Sequence, residues 1–331
     1  MTDFSSNHTP TRRDLLKAGL GAGVASLALP MLAGCDDRGS DVPASYRYDI
    51  TEAAKIDPSL ITWREVAGRE LSLSDAVDMQ PVGDQRVAVL RDAGVDWLDT
   101  VTWQVNETWA LPGKATAMAW SEAGMLIAFY DRIERWADGQ AVATTLELDE
   151  PAHVTSIAVD GEDVYLADAG RRLVLRYRGS DEVWRIDGYA IPSPYFDVAV
   201  HDGSLWTADT GRHRLAEHDA HGERIRAFGK TGMGIDAFCG CCNPCHFIVL
   251  PDGRFVTAEK GLHRVKVLKP DGSLDGVVAG AEQLGIDINS PICMNPDCSG
   301  PAGPIPAALS DGRLAVVHPV TGKLHVFEEV G

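Results

Sequence analysis

The sequence predicts an all-β fold: six strand-rich units closed into a ring, the six-bladed β-propeller. The first observation is a fourfold repetition, VTSIAVDGEDVYLADAGRRLVLRYRG from Val154, YFDVAVHDGSLWTADTGRHRLAEHDAHG from Tyr195, CHFIVLPDGRFVTAEKGLHRVKVLKPDG from Cys245 and PIPAALSDGRLAVVHPVTGKLHVFEE from Pro304. Each copy reads apolar strand, Asp-Gly-type turn, apolar strand, glycine-containing turn, and a strand of alternating apolar residues. The second observation is spacing: first-turn glycines at 161, 203, 253 and 312 are followed by second-turn glycines at 170, 211, 261 and 322. Gaps of 8 to 10 residues suit short strands joined by tight hairpins, whose turns need the positive φ that glycine adopts freely. The third is size. A unit of roughly 35 to 50 residues cannot bury a face alone, whereas a radial array packs every unit against two neighbours.

Taken in chain order, the elements follow. Residues 61–71, ITWREVAGREL, form a strand; because the last copy reaches the C-terminus with only three strands, this segment returns to supply its missing outer strand and close the ring. Two weaker copies come next, from Ala76 and from Ala115, and the four clear ones bring the count to six. The propeller domain therefore spans 47–331.

The phrases LADAGRRLVLRY, TADTGRHRLAEHDAHG and TAEKGLHRVKVLKPDG resemble the NHL-repeat propellers, well over residues 150–331 and poorly over 76–149. That resemblance implies the fold and leaves function open, since such propellers include lyases, lactonases and protein-binding platforms. Asp168, Asp209 and Arg212 lie at repeat turns, where the Asp and Arg hold the turn together. His153, His201, His213, His218, His221, His263, His318 and His325 are scattered without ligand spacing. No nucleophile elbow and no phosphate-cradling glycine loop stands in the sequence.

Residues 1–35 are read as an export signal. Arg12 and Arg13 precede an apolar run, Leu20 to Leu32, too short and glycine-rich for a stable membrane span. Thr11 to Lys17, TRRDLLK, resembles the twin-arginine motif with Leu15 in place of phenylalanine, and Leu32-Ala33-Gly34-Cys35 resembles a lipobox, which implies acylation of Cys35 and a lipid anchor in the membrane. Asp36 and Asp37 resemble an inner-membrane retention signal, and 36–46 reads as a flexible tether. The expected location is the periplasmic side of the inner membrane. The signal contributes +1, so the remainder carries −19 of a whole-chain −18, which argues against nucleic acid as a partner and against electrostatic adhesion to anionic lipid.

Two inter-repeat connections are unusually long, 230–244 and 281–303, and all six remaining cysteines lie in them or at their edge: Cys239, Cys241, Cys242 and Cys245 in the first, Cys293 and Cys298 in the second. In a propeller such connections cross one face, so loops at adjacent junctions are neighbours. The matching phrases CCNPC and CMNPDC mark two halves of one site, with Asn243, Pro244, Asn295 and Pro296 shaping the turns behind the sulfurs. Three chemistries fit. All six thiolates could ligate an iron-sulfur cluster or another metal, which the twin-arginine resemblance favours. Disulfides alone are the ordinary use of an even cysteine set in an exported protein. A c-type haem would use Cys242, Cys245 and His246 of the C-x-x-C-H run, with Met233 or Met294 on the far side.

The function expected from the sequence is electron transfer or redox sensing beside a membrane oxidoreductase or another periplasmic protein, through a cysteine-rich centre, iron-sulfur favoured. The alternative is a cofactor-free, disulfide-stapled protein-binding scaffold. Neither reading assigns a catalytic residue, and a non-catalytic component is favoured over an enzyme.

Overall fold

The structure, a computed structural model, describes residues 50–240, 242–287 and 303–330. The expected signal, tether and lipidation site at Cys35 lie outside the described residues, as do Cys241, Cys293, Cys298, Asn295 and Pro296. A short helix, α1 (Ile50–Ala54), and one 3-10 turn, Pro58–Leu60, precede the first strand. Among the described residues no helix is long and apolar enough to cross a membrane.

Six four-stranded antiparallel sheets follow, five in simple sequential order and the sixth ordered β1-β24-β23-β22. Blade 1 is β2 (Ala76–Val82), β3 (Arg86–Arg91), β4 (Gly94–Asp99) and β5 (Val105–Ala110); blade 2 is β6 (Ala117–Ser121), β7 (Gly124–Ala128), β8 (Arg132–Ala137) and β9 (Gln140–Glu147). Blade 3 is β10 (Val154–Asp160), β11 (Asp163–Asp168), β12 (Leu173–Arg178) and β13 (Asp181–Ile186); blade 4 is β14 (Val198–His201), β15 (Ser204–Asp209), β16 (Arg214–His218) and β17 (Arg224–Phe228). Blade 5 is β18 (His246–Val249), β19 (Phe255–Glu259), β20 (Arg264–Leu268) and β21 (Leu274–Ala279). Blade 6 takes β22 (Ile305–Ala308), β23 (Leu314–His318) and β24 (Lys323–Glu329) from the C-terminus and β1 (Trp63–Glu70) from the N-terminal side.

The expected ring closure is present. β1 pairs antiparallel with β24 from Trp63 opposite Glu329 to Glu70 opposite Lys323, with a bulge between Glu65 and Ala67. His325 and Glu65 bridge this seam at 2.9 Å.

The core is divided into six apolar clusters, one between each pair of neighbouring blades. The second strand of a blade is covered on both faces by adjacent blades, so it reads as a largely apolar run, as in LAVVH of β23 or GMLIA of β7, every residue of which is buried. The outermost strands meet water, and their sequences are polar, as in VNETWA of β5 and QAVATTLE of β9. Because strands alternate in direction, the turns between second and third strands and the connections between blades share one face, called the top below.

Trp63 anchors the closing strand in the cluster shared by blades 5 and 6, beside Val256, Val265, Val316 and Phe327. Its indole Nε1 has no partner, so removing it forfeits packing alone. Trp63→Ala is expected to cost about 3 kcal/mol, the low end for burying and then deleting such a ring, read as a lower urea midpoint with the slope unchanged.

Candidate functional site

The top face is dominated by the long connection between β17 and β18, and this loop is held from below by charge. Glu259, Arg264 and Lys266 are all fully buried. Glu259 pairs with Lys266 at 2.7 Å and with Arg264 at 2.9 Å, and accepts the Cys239 backbone N–H at 3.0 Å. The two cations then reach into the loop: Lys266 Nζ donates to the Ala237 and Ile235 carbonyls at 2.8 and 3.1 Å, and Arg264 to the Met233 carbonyl at 3.3 Å. Burial pulls the Lys266 pKa down, opposed by the charge of Glu259. Two cations to one carboxylate are tolerated because loop carbonyl dipoles supply the rest of the counter-charge.

Asn243 and His213 pin the same loop elsewhere. Asn243 accepts the Lys260 N–H at 2.9 Å and donates to the Lys260 carbonyl at 2.9 Å and to the Cys239 carbonyl, tying the cysteine turn to blade 5. His213 lies between the Gly240 carbonyl at 2.5 Å and the Thr231 hydroxyl at 2.7 Å. Pro244 follows Asn243 through a cis peptide bond.

Of the cysteines expected to form one site, three are described. Cys239 is half-buried; Cys242 and Cys245 are completely buried and share a cluster with Tyr195 and Ala258. Cys242 Sγ accepts a hydrogen bond from the Ser193 hydroxyl at 2.6 Å. The Cys245 thiol donates to the Ala258 carbonyl at 3.2 Å, and burial pushes its pKa up to about 12, Lys260 opposing. Burial and then the Glu259 charge raise that of Cys239 as well. The expected meeting of the two loops is visible at one point: Gly303, at the end of the second connection, lies so near Cys245 that a Cβ there would fall 2.2 Å from the sulfur. Among the described residues there is no disulfide and no set of three or more His, Cys, Asp or Glu side chains placed to hold a metal ion.

His246, assigned to haem ligation by the C-x-x-C-H reading, lines the central channel, where its Nδ1 lies 3.1 Å from Asp197. The channel, about 520 Å³, runs between the six innermost strands. Three ionisable groups meet at its top end. Asp197 sits immediately before β14, His246 opens β18, and Asp78 projects from β2. Asp197 also accepts the Phe247 N–H at 3.2 Å; Asp78 accepts the N–H groups of Met79 at 2.7 Å and Met118 at 3.1 Å. Burial raises the Asp78 pKa to about 6, helped by Asp197 and opposed by the Met118 N–H and the His246 charge. For His246, burial works against the imidazolium, but Asp197 and Asp78 outweigh it and the pKa rises. Tyr195 joins the two regions, its ring edge-on to His246 at 6.1 Å, 4.4 Å beneath Lys260 Nζ, and packed on Cys242 and Cys245.

No sequence motif marks Asp78, Asp197 and His246 as neighbours; the local signal is a charged or titratable residue just before or at the start of an apolar inner strand, Asp197 in FDVAV and His246 in CHFIV. Asp168 and Asp209 hold turns, as expected from the repeats. Asp168 pairs with Arg171 at 2.5 Å and accepts the His153 N–H at 3.0 Å; Asp209 pairs with Arg212 at 2.8 Å and Arg214 at 2.9 Å and accepts the Ala190 N–H at 2.9 Å.

No family model and no curated protein matches the chain in sequence. Solved structures do match it in fold. The WD40 β-propeller domain of Doa1 is 14% identical with a TM-score of 0.54, the match covering 80% of this chain and 96% of that one. A streptogramin B lyase is 11% identical with a TM-score of 0.51, over 81% of this chain and 97% of that one. A catalytically inactive virginiamycin B lyase from Staphylococcus aureus, with quinupristin, is 12% identical with a TM-score of 0.52, over 77% and 80%. At these identities the likeness establishes a six-bladed propeller scaffold and assigns no activity.

Glu259→Gln leaves Arg264 and Lys266 buried without their counter-charge, and should cost about 3–5 kcal/mol by chemical denaturation. Adding Lys266→Met should recover part of that loss, the mark of a coupled pair.

A second expectation concerns His263 and His318, buried in neighbouring top-face turns with Nδ1 and Nε2 2.9 Å apart. His318 Nδ1 accepts the Val320 N–H at 3.2 Å, so its Nε2 carries the proton that His263 accepts. Burial lowers their pKa values to about 4 and about 3, with His263 and His325 adding to the effect on His318. Both folded values lie below the ordinary 6.5, so the unfolded chain takes up protons first and the pair's stabilisation is lost as pH falls from about 6.5 to about 3. His263→Asn keeps an acceptor at the Nδ1 position, and should flatten the fall of the unfolding midpoint across that window.

Proposed function

We propose that this protein is an exported, lipid-anchored propeller of the NHL kind, delivered by a twin-arginine signal to the periplasmic side of the inner membrane. There it serves as a scaffold that binds a partner protein with its top face. The observation that carries this reading is the loop between β17 and β18. It is fastened by a buried Glu259–Arg264–Lys266 network and by Asn243, while Lys230, Thr231, Asp236 and Gly240 stand exposed above. A surface held rigid before contact loses little conformational entropy on binding.

A cysteine-ligated redox centre is the second reading. What supports it is the burial of Cys242 and Cys245 side by side where Gly303 returns from the second cysteine loop. The Cys245 thiol also donates to the Ala258 carbonyl, a contact that the scaffold reading accounts for without any ligand.

Two measurements test these readings. A photo-crosslinking residue at Thr231 or Asp236 in native membranes should capture one discrete partner, and one at Asp202 on the opposite face should not; equal capture from both faces, or none, overturns the scaffold reading. Iron, sulfide and thiol content of the exported protein, purified without oxygen, should show a colourless protein without stoichiometric iron. Stoichiometric iron and sulfide with a band that bleaches on reduction would establish the redox reading in its place.

A further inference from the structure

The channel mouth raises a question that top-face docking does not answer. Among the described residues its wall carries charge at three: Asp78, Asp197 and His246. Neither Lys nor Arg is among the described residues that line the channel, and β6, β10 and β22 contribute no charged side chain to it. Even with the imidazole protonated, two carboxylates face one cation, leaving one negative charge uncompensated. Asp78 is the group concerned. Asp197 is occupied by His246 and by the Phe247 N–H, whereas Asp78, which also lines the channel, accepts only the Met79 and Met118 N–H groups among the described residues and keeps lone pairs unused. His246 Nε2 makes no hydrogen bond among the described residues.

We propose that this cluster is a binding site for a small organic monocation, a primary ammonium group on a small neutral body. The cation would sit against Asp78 and Asp197, and the body would occupy the channel below. The channel lining mixes the hydroxyls of Thr155, Ser156 and Ser310 and the Gln80 amide with inner-strand aliphatic side chains, which admits a neutral body and offers nothing to a second charge. A small anion is opposed by the two carboxylates. A bare metal ion lacks its ligand set, since no three His, Cys, Asp or Glu side chains among the described residues, the channel trio included, are placed to hold one. The site is independent of the use made of the loop face above.

The empty site relieves its excess charge by holding a proton on Asp78, whose pKa is about 6. The ligand and that proton therefore compete. Among the described residues the charged groups facing Asp78 are Asp197 and His246, and loss of the Asp78 proton restores the negative charge of the site, so affinity for a cation rises as pH climbs through about 6.

The test uses phenethylammonium as probe and 3-phenylpropanoate as its anionic counterpart, titrated calorimetrically into the exported protein. Expected are saturable binding of the ammonium ion at pH 7.5 with a dissociation constant below roughly 1 mM, no comparable binding of the carboxylate, and about tenfold weaker ammonium binding at pH 5. Asp78→Asn should weaken the ammonium by at least about tenfold and remove most of the pH dependence at an unchanged unfolding midpoint. The proposal is overturned if the ammonium does not saturate, if the carboxylate binds as tightly, or if affinity is the same at both pH values. It is equally overturned if a folded Asp78→Asn protein binds as well as the unsubstituted one. Should that variant fail to fold, the charge comparison and the pH comparison on the unsubstituted protein decide.

Discussion

Every other feature of this molecule depends on one constraint: no blade can bury both of its faces by itself. The second strand of each blade is largely apolar on both sides and becomes stable only between two neighbours, so the ring must close or two blades are left with bare hydrocarbon. Closure falls to β1, which arrives from the far end of the chain to pair with β24 and lodges Trp63 between blades 5 and 6. The outer strands, which face water, could then be polar, and the inner strands were left to wall a channel.

A closed ring makes the two faces unequal. Blade-to-blade connections cross the top, so insertions there can lengthen without disturbing a sheet, and the two long cysteine-bearing connections use that freedom. An inserted loop must still satisfy its backbone groups. Blade 5 does this with Glu259, Arg264 and Lys266, which convert a covered surface into an electrostatic clamp on the loop carbonyls. Tyr195 then brings the cysteine cluster and the channel trio into one neighbourhood, with sulfur on one side of the ring and imidazole at its edge.

Much of the fold was legible because its signals are local and repeated. The strand periodicity, turn glycines and Asp-Gly phrases recur four times, and a three-stranded last copy implies a returning strand elsewhere; ITWREVAGREL supplies it as Trp63–Glu70. The candidate site was less legible. In TAEKGLHRVKV the charged residues alternate with apolar ones in the manner of a solvated strand face, yet Lys266 and Arg264 are buried because a distant insertion lies over them. His246 drew notice only as part of C-x-x-C-H, while its partners Asp78 and Asp197 belong to other blades and carry no motif.

The sequence by itself determined the number of blades, the strand and turn pattern, the position of the closing strand and the two places where long loops leave the ring. These follow from the period of apolar residues and the backbone demands of tight turns, which act over a few residues. Only the tertiary structure decided which charges are buried, which thiol is a neutral donor and which three ionisable groups share the channel mouth. Those depend on which surfaces the ring and its insertions take away from water, a property of the closed assembly that no single repeat contains.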